Sequence, residues 1–354
     1  MHVTLFVGNL AGGGAERVFV SLANEMAGRG VEVDMLLAQA SGPFLSQLSP
    51  SVNVVNLGVP RAIFSLPAVA RYLRKSQPSA LICCLPVTSM IGIIAQKLSR
   101  IQCRVIATEH GFASRPQNSI KHRALLALMR QIYGHADGVV AVSEGVAKDL
   151  ARKLNLPDKS ITTIYNPVVS QEMIDRGSDE LRWDFHEPVI ISVGRLTEAK
   201  DYPTLLKAFA HFRKQRKSTL VILGEGELRE DLEALAKSLG VWQDVHMPGF
   251  VDNPYSWMKK ADLFAMSSKW EGLPTVLIEA LALGVPIVST DCPSGPREIL
   301  EQGRWGRLVP IGDDAAMAKA WVDVLNSARV PSTERAKDFS VELAATRYLA
   351  IALG

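Results

Sequence analysis

Two hydrophobic periods alternate along the chain. Short apolar runs at 2–7, 31–37, 53–57, 80–85, 104–108, 138–142 and 161–165 have the length and near-continuous apolarity of buried strands. Helix-spaced segments such as 15–27 and 119–135 lie between them, the first closed by Gly28 and Gly30. The alternation breaks at 166–187, a polar stretch carrying Pro167 and Gly177, which reads as an interdomain linker. It then restarts, with strands at 189–193, 219–223, 245–247, 263–266, 287–289 and 307–309 and helices at 202–217, 227–239 and 275–283, and it ends in helical sequence at 314–326 and 333–353. Fully apolar strands alternating with helices predict parallel sheets covered on both faces. The expected fold class is therefore α/β, two Rossmann-like doubly wound domains facing each other across a cleft. The expected domains are 1–168 and 169–334, with a C-terminal helix at about 335–354 packing back onto the first.

One stretch breaks the helical pattern in an informative way. From Val276 to Leu283 every residue is apolar except Glu279, and the segment stops at Gly284 before Pro286. A helix apolar all round is buried all round, and an uncompensated buried carboxylate is costly. Glu279 should therefore have a dedicated partner, a protein donor or a ligand hydroxyl. The amides of Leu273, Thr275 and Val276 at the helix start form a natural anion site, and Gly272 and Pro274 shape the turn into it. Glu271 lies eight residues before Glu279, on the entering loop.

Composition narrows the class. The chain has 354 residues, 47% of them hydrophobic and 21% charged, as in globular proteins of two ordinary domains. The apolar run after Met1 is too short for a secretory signal. Residues 78–96 carry no charge, but Pro86, Thr88, Ser89 and Gln96 divide them into a strand and a helix rather than a membrane span. The four cysteines show no metal spacing and read as reduced core thiols. The net charge of +3 hides an asymmetry: residues 1–168 hold 17 Lys/Arg against 9 Asp/Glu, and the rest 22 against 27. A basic first half suggests an anionic surface or acceptor on that side.

Glycine-punctuated loops recur where strands should end. Gly12-Gly13-Gly14 follows the first strand, letting backbone approach a phosphate or sugar and opening a helix. The third glycine of the dinucleotide fingerprint is replaced by Arg17, which argues against a nicotinamide dehydrogenase, and no Lys-Ser/Thr pair makes a nucleotide-triphosphate loop. Glu109-His110-Gly111 ends another strand. Gly194-Arg195 and Lys200 share one loop, an arrangement suited to phosphate oxygens. Gly224-Glu225-Gly226 and Gly249-Phe250-Val251 suit backbone contact with a flat base, and Arg297 follows Gly295-Pro296 at a later strand end.

In this order and spacing these motifs resemble the retaining glycosyltransferases of family 4, which have the GT-B fold, and the resemblance runs over essentially the whole chain. Gly12-Gly13-Gly14-Ala15-Glu16-Arg17 and Ser294-Gly295-Pro296-Arg297-Glu298-Ile299 are most like bacterial members that extend lipid-linked or surface glycans. The resemblance implies that Arg195 and Lys200 neutralise the donor diphosphate with the amides of Leu273–Thr275. It implies that Glu279 takes the ribose hydroxyls, Glu271 the hydroxyls of the transferred sugar, and His110 a place beside that sugar. Gly13 or Gly14 would let the first domain approach the diphosphate. Gly194, Gly224, Phe250, Val251, Gly272, Leu273, Pro274, Thr275 and Arg297 complete the expected binding set.

The expectation is transfer of a hexose or N-acetylhexosamine from a nucleotide sugar, with uridine the expected base, to a glycan or lipid-linked glycan. No cofactor is expected, and the lack of an Asp-x-Asp motif predicts metal independence. No nucleic-acid partner is expected. Arg115, Lys121, His122, Arg123 and Arg130 on or near the apolar-rich segment 119–133 suggest docking on anionic lipid, hence a place at the inner face of the cytoplasmic membrane. A sugar-nucleotide epimerase and a non-catalytic nucleotide-sugar-binding partner are the alternatives.

Overall fold

The computed structural model describes residues 1–110, 120–157, 161–182, 184–185, 188–327 and 333–354, the side chains of Ile120 and Lys121 excepted. Gly111 and Arg115 lie outside the described residues. The chain divides into two compact units, Met1–Pro167 with Val341–Gly354, and Val168–Ser340.

The first unit carries β1 (His2–Val7), β2 (Glu32–Leu37), β3 (Val52–Asn56), β4 (Ala80–Cys84), β5 (Arg104–Glu109), β6 (Gly138–Ala141) and β7 (Ile161–Thr163). They form one parallel sheet in the order β3-β2-β1-β4-β5-β6-β7. Every residue of β4 is buried, which explains its unbroken apolar sequence. The helices Gly14–Gly28 and Val341–Leu353 share a core with the sheet, through Phe19, Leu22, Met26, Ala345 and Tyr348. The uncharged stretch 78–96 falls on β4 and the helix Leu85–Ser99, and among the described residues no helix is long and apolar enough to cross a membrane.

The second unit repeats the plan with β8 (Val189–Val193), β9 (Thr219–Leu223), β10 (Val245–Gly249), β11 (Leu263–Met266), β12 (Ile287–Thr290) and β13 (Arg307–Val309). Their order is β10-β9-β8-β11-β12-β13, again parallel. Its core is organised by the fully buried Trp321, edge-on to Phe212 at 5.8 Å between ring centroids.

Two expectations differ in detail. The polar stretch after Asn166 contains a helix, Gln171–Arg176, started by Ser170, whose Oγ accepts from the Met173 amide at 3.2 Å. The final helical sequence is broken in two: the Phe339 carbonyl accepts from the amides of Val168 and Val169, both at 3.0 Å, and Ser340 is extended. A backbone carbonyl turned to neighbouring strand amides no longer serves a helix ladder.

In both sheets strand order reverses once, between β1 and β4 and between β8 and β11. In such sheets the crossovers on either side of the reversal leave a crevice at the carboxyl ends of the strands, where ligands bind. The helix Thr275–Ala282 enters from that end, and Leu277 to Ala282 are buried. Its exit is a Schellman motif: Gly284 N–H donates to Leu281 O and Val285 N–H to Ala280 O, both at 3.1 Å. Gly284 has φ of 71°, and an added Cβ would meet only ordinary contact with Thr333. Gly284→Ala therefore adds backbone strain alone, expected to lower stability by about 1–2 kcal/mol, with Gly284→Asn costing less. Denaturant unfolding of the two variants checks this.

Candidate active site

In the second unit the strand reversal places the loop after β8 beside the loop after β11. Lys200 and Glu271, on those two loops, meet at 2.6 Å, and both are largely shielded from solvent. The Glu271 carboxylate is held from a second side by Ser268 Oγ, at 2.6 Å, and Thr290 Oγ1 fixes Ser268 through its carbonyl at 2.7 Å. Its backbone is clamped too: Glu271 N–H donates to Pro293 O, and Ser294 N–H donates to Glu271 O, at 3.0 and 3.1 Å. Ser267 Oγ donates to Lys200 O at 2.7 Å. The sequence pattern assigned Lys200 and Glu271 separate duties; the fold makes them one ion pair. Ser268 was not singled out.

Arg195 is exposed on the same loop as Lys200, and among the described residues its guanidinium makes no ion pair. Glu279 is buried inside the helix, one turn in from Thr275. The helix start has no side-chain cap, so its amides keep their positive end toward the crevice. Burial pushes the Cys292 thiol up to about 12, with Glu271 adding to the effect, so this cysteine stays protonated.

The glycines have different explanations. A Cβ on Gly224, at φ of 137°, would fall 2.1 Å from Gly194 O, so backbone packed on backbone already requires glycine there. Gly194 faces the Lys200 stem and the Tyr202 hydroxyl at 3.2 and 3.1 Å from an added Cβ. Phe250 is 80% exposed at the end of β10, followed by half-buried Val251. Arg297 is exposed and forms a bidentate pair with Asp291, through Nε at 3.0 Å and through Nη2. Its guanidinium is thus directed to a neighbouring carboxylate, which the sequence reading did not anticipate.

The first unit holds the remaining candidates. Gly13 caps the helix Gly14–Gly28, and an added Cβ would overlap the Glu16 carboxylate. Glu16, three residues inside the helix, folds back over the glycine loop as in a capping box. A carboxylate thus already complements this helix end. Gly8, Asn9, Glu16, Leu85, Pro86 and Leu125 are among the residues lining a pocket of about 450 Å³ at the carboxyl ends of β1 and β4.

His110 directly follows β5, its ring 5.9 Å from that of Phe19. Both ring nitrogens are buried, and neither reaches hydrogen-bond geometry with a described residue. Burial pulls its pKa down to about 4, against a weaker opposing pull from Asn166, so the imidazole is neutral at physiological pH. The preceding Glu109 is pushed the other way, to about 8, by burial, while the Tyr133 hydroxyl donates to it. Sequence reading quoted Glu109 and Glu16 within the Glu-His-Gly and glycine-run motifs but gave neither a role of its own.

Residues 12–172 match the family described as Glycosyltransferase Family 4, and residues 174–340 match Glycosyl transferases group 1. The lipopolysaccharide core biosynthesis glycosyltransferase LpsE of Rhizobium meliloti is 30% identical over 357 residues, 95% of either chain. The chain belongs to glycosyltransferase family 4. An N-acetylgalactosaminyltransferase of Campylobacter jejuni whose name specifies a diphospho-undecaprenol substrate is 34% identical over 200 residues. That match spans 56% of this chain and 53% of the relative, about half the relative's length. Among solved structures, the apo lipopolysaccharide outer core galactosyltransferase WaaB superposes with TM-score 0.76 at 20% identity, covering 99% of each chain. A glycosyltransferase of Rickettsia africae superposes with TM-score 0.82 at 16% identity, covering 99% of this chain and 97% of that one. These likenesses show the shared GT-B fold. The family matches lend no support to the epimerase or binding-partner alternatives.

A family 4 enzyme with a neutral buried His110 has a testable acid response. In the unfolded chain histidine titrates near 6.5, in the folded one near 4, so the unfolded state binds the extra proton between these values. Stability therefore falls as pH drops from about 6.5 to 4, by at most about 3 kcal/mol from this group. His110→Gln is expected to lose that component, so the stability difference between the two proteins changes across this window and levels off outside it. Denaturant unfolding at a series of pH values measures it.

Proposed function

We propose that the enzyme transfers a hexose or N-acetylhexosamine from a uridine diphosphate sugar to a lipid-linked or polysaccharide glycan, with retention at the anomeric carbon and without a metal ion. The observation that carries this is the meeting of Lys200 and Glu271 at the strand reversal of the second unit, beside the start of the helix Thr275–Ala282. Departure of a nucleoside diphosphate builds negative charge on its terminal phosphate. Lys200 and the helix-start amides are fixed donors beside that charge, exposed Arg195 is a mobile one, and preorganised donors are the main source of transition-state stabilisation in such sites. This is the charge compensation a metal would otherwise give.

The remaining roles follow from chemistry. Glu271, oriented by Ser268 and Lys200, has acceptor lone pairs left for sugar hydroxyls. Glu279, buried in its helix, is assigned to the ribose hydroxyls, and exposed Phe250 to the base. Neutral His110 can donate or accept at a sugar hydroxyl without placing a positive charge beside an oxocarbenium-like centre. The sugar–phosphate C–O bond breaks, the acceptor oxygen bonds the same face of the anomeric carbon, and its proton passes to a leaving-phosphate oxygen. The relatives' names, a diphospho-undecaprenol substrate in one and lipopolysaccharide core biosynthesis in another, support a lipid-linked glycan as acceptor. The pocket near Glu16 offers the first unit a mixed apolar and polar surface for it. A membrane-borne acceptor fits peripheral attachment at the cytoplasmic membrane through the basic first unit.

Lys200→Ala is expected to reduce transfer by about 30- to 1000-fold, the loss of roughly 2–4 kcal/mol of transition-state stabilisation. Steady-state kinetics on a panel of nucleotide sugars reads this and identifies the donor. Near wild-type turnover would remove Lys200 from the site. Retained activity in excess chelator and an unchanged anomeric configuration by NMR check the other two elements; inversion would overturn the retaining assignment.

A further inference from the structure

The first unit carries a charge pattern that the catalytic assignment does not use. From residue 35 to residue 136 the chain holds eleven Lys/Arg and a single acidic residue, Glu109. Glu109 is buried and is pushed up to about 8, so it contributes no surface negative charge at neutral pH. The stretch includes the turn Ala62–Phe64 and the helix Leu66–Ser76. Exposed positions there recur at Ile63, Phe64, Pro67, Arg71, Arg74 and Lys75, the spacing of one helical stripe. The opposite face, Val69, Ala70, Tyr72 and Leu73, is buried, and the helix packs on Leu85–Ser99. Arg74 is tied to that neighbour by a 2.9 Å bond from Nη2 to the Leu98 carbonyl.

Ile63 and Phe64 are 64% and 62% exposed, two adjacent large apolar side chains at the end of the basic stripe. The turn that bears them is well fixed. Phe64 N–H donates to Arg61 O at 3.0 Å, Ser65 N–H to Ala62 O at 2.9 Å, and Ser65 Oγ to Ala62 O at 2.6 Å. A rigid turn holding two apolar side chains in water beside unopposed cations has the composition of an interfacial membrane contact. A second copy of the chain fits poorly, because the stripe offers no carboxylate to its own cations.

We propose that the turn Ala62–Phe64 and the basic stripe of Leu66–Ser76 dock the enzyme on an anionic bilayer, Ile63 and Phe64 entering the headgroup boundary and Arg71, Arg74 and Lys75 meeting lipid phosphates. This deepens the reading of a membrane-borne acceptor and rests on it. Each cation near an anionic surface is worth about a fivefold gain in binding, screened within a Debye length.

Flotation with phosphatidylcholine vesicles, with and without phosphatidylglycerol, tests the proposal on the full chain. The wild type is expected to float with the anionic vesicles alone and to be released by salt. Arg71→Gln/Arg74→Gln/Lys75→Gln should weaken binding by about two orders of magnitude, and Ile63→Ser/Phe64→Ser should weaken it without altering its salt dependence. Thermal unfolding and transfer to a water-soluble short-chain acceptor should be unchanged in both variants, which separates docking from misfolding. Flotation that ignores the anionic lipid, or variants that bind as tightly as the wild type, would overturn the docking surface. So would salt-sensitive retention on a DNA duplex without flotation. Docking with no transfer to any acceptor would instead overturn the proposed function and leave the surface standing.

Discussion

An all-parallel sheet has its chemistry at one edge, and the reversal of strand order decides where on that edge. Each crossover helix must return to the start of the next strand, so every strand leaves the sheet at the same end. Where the order reverses, neighbouring strands send their crossovers to opposite faces of the sheet, and the loops between them border an uncovered crevice. In this chain the reversal lies between β8 and β11 in one unit and β1 and β4 in the other. The loops that carry Arg195 and Lys200, Glu271 and the helix start, the glycine run and the pocket beside Glu16 all leave from those strands. Within each unit, sheet topology, more than any single contact, brings that unit's own distant segments together.

Within that frame the Lys200–Glu271 pair is worth more as orientation than as stability. Partly shielded ion pairs recover little net free energy after desolvation. What the pair supplies is fixed direction. Glu271 is held by Lys200, Ser268 and two backbone bonds, so its carboxylate cannot rotate freely when a substrate arrives. The cost of ordering is met on folding rather than at binding, which is what preorganisation means for a polar site. Lys200 is thus a cation already placed, while Arg195 on the same loop is exposed and, among the described residues, makes no ion pair.

Much of this was legible in the sequence because the hydrophobic period is strong. Continuous apolar runs marked the central strands of both sheets, and the burial of Glu279 followed from its apolar neighbours alone. The strand-end position of Gly194, His110 and Glu271 was legible for the same reason. What escaped are interactions that the fold decides: the pairing of Lys200 with Glu271 and of Arg297 with Asp291. The Glu16 carboxylate lying over Gly13 escaped as well, although it sits at the local capping-box spacing. The break before Val341 escaped too, because Phe339 gives its carbonyl to strand-like amides more than 160 residues earlier, and helix propensity contains no such information. Glycines misled in one respect. Gly224 reads as an opening for a ligand, yet the neighbouring backbone already excludes a side chain.

The two units handle charge in opposite ways. In the second, ionised groups at the site are kept and balanced against one another, as Lys200 with Glu271 and Arg297 with Asp291. In the first, the two titratable groups at the end of β5 are driven to their neutral forms: His110 loses its proton and Glu109 keeps one, each because burial disfavours the charged state. The first unit's positive charge therefore resides at its surface, where water can solvate it and an anionic partner can reach it. The neutral forms of these two groups leave no fixed charge at the end of β5. A cationic exterior with a neutral end of β5 is what the proposed docking on an anionic surface calls for, a combination that a uniformly basic domain would not provide.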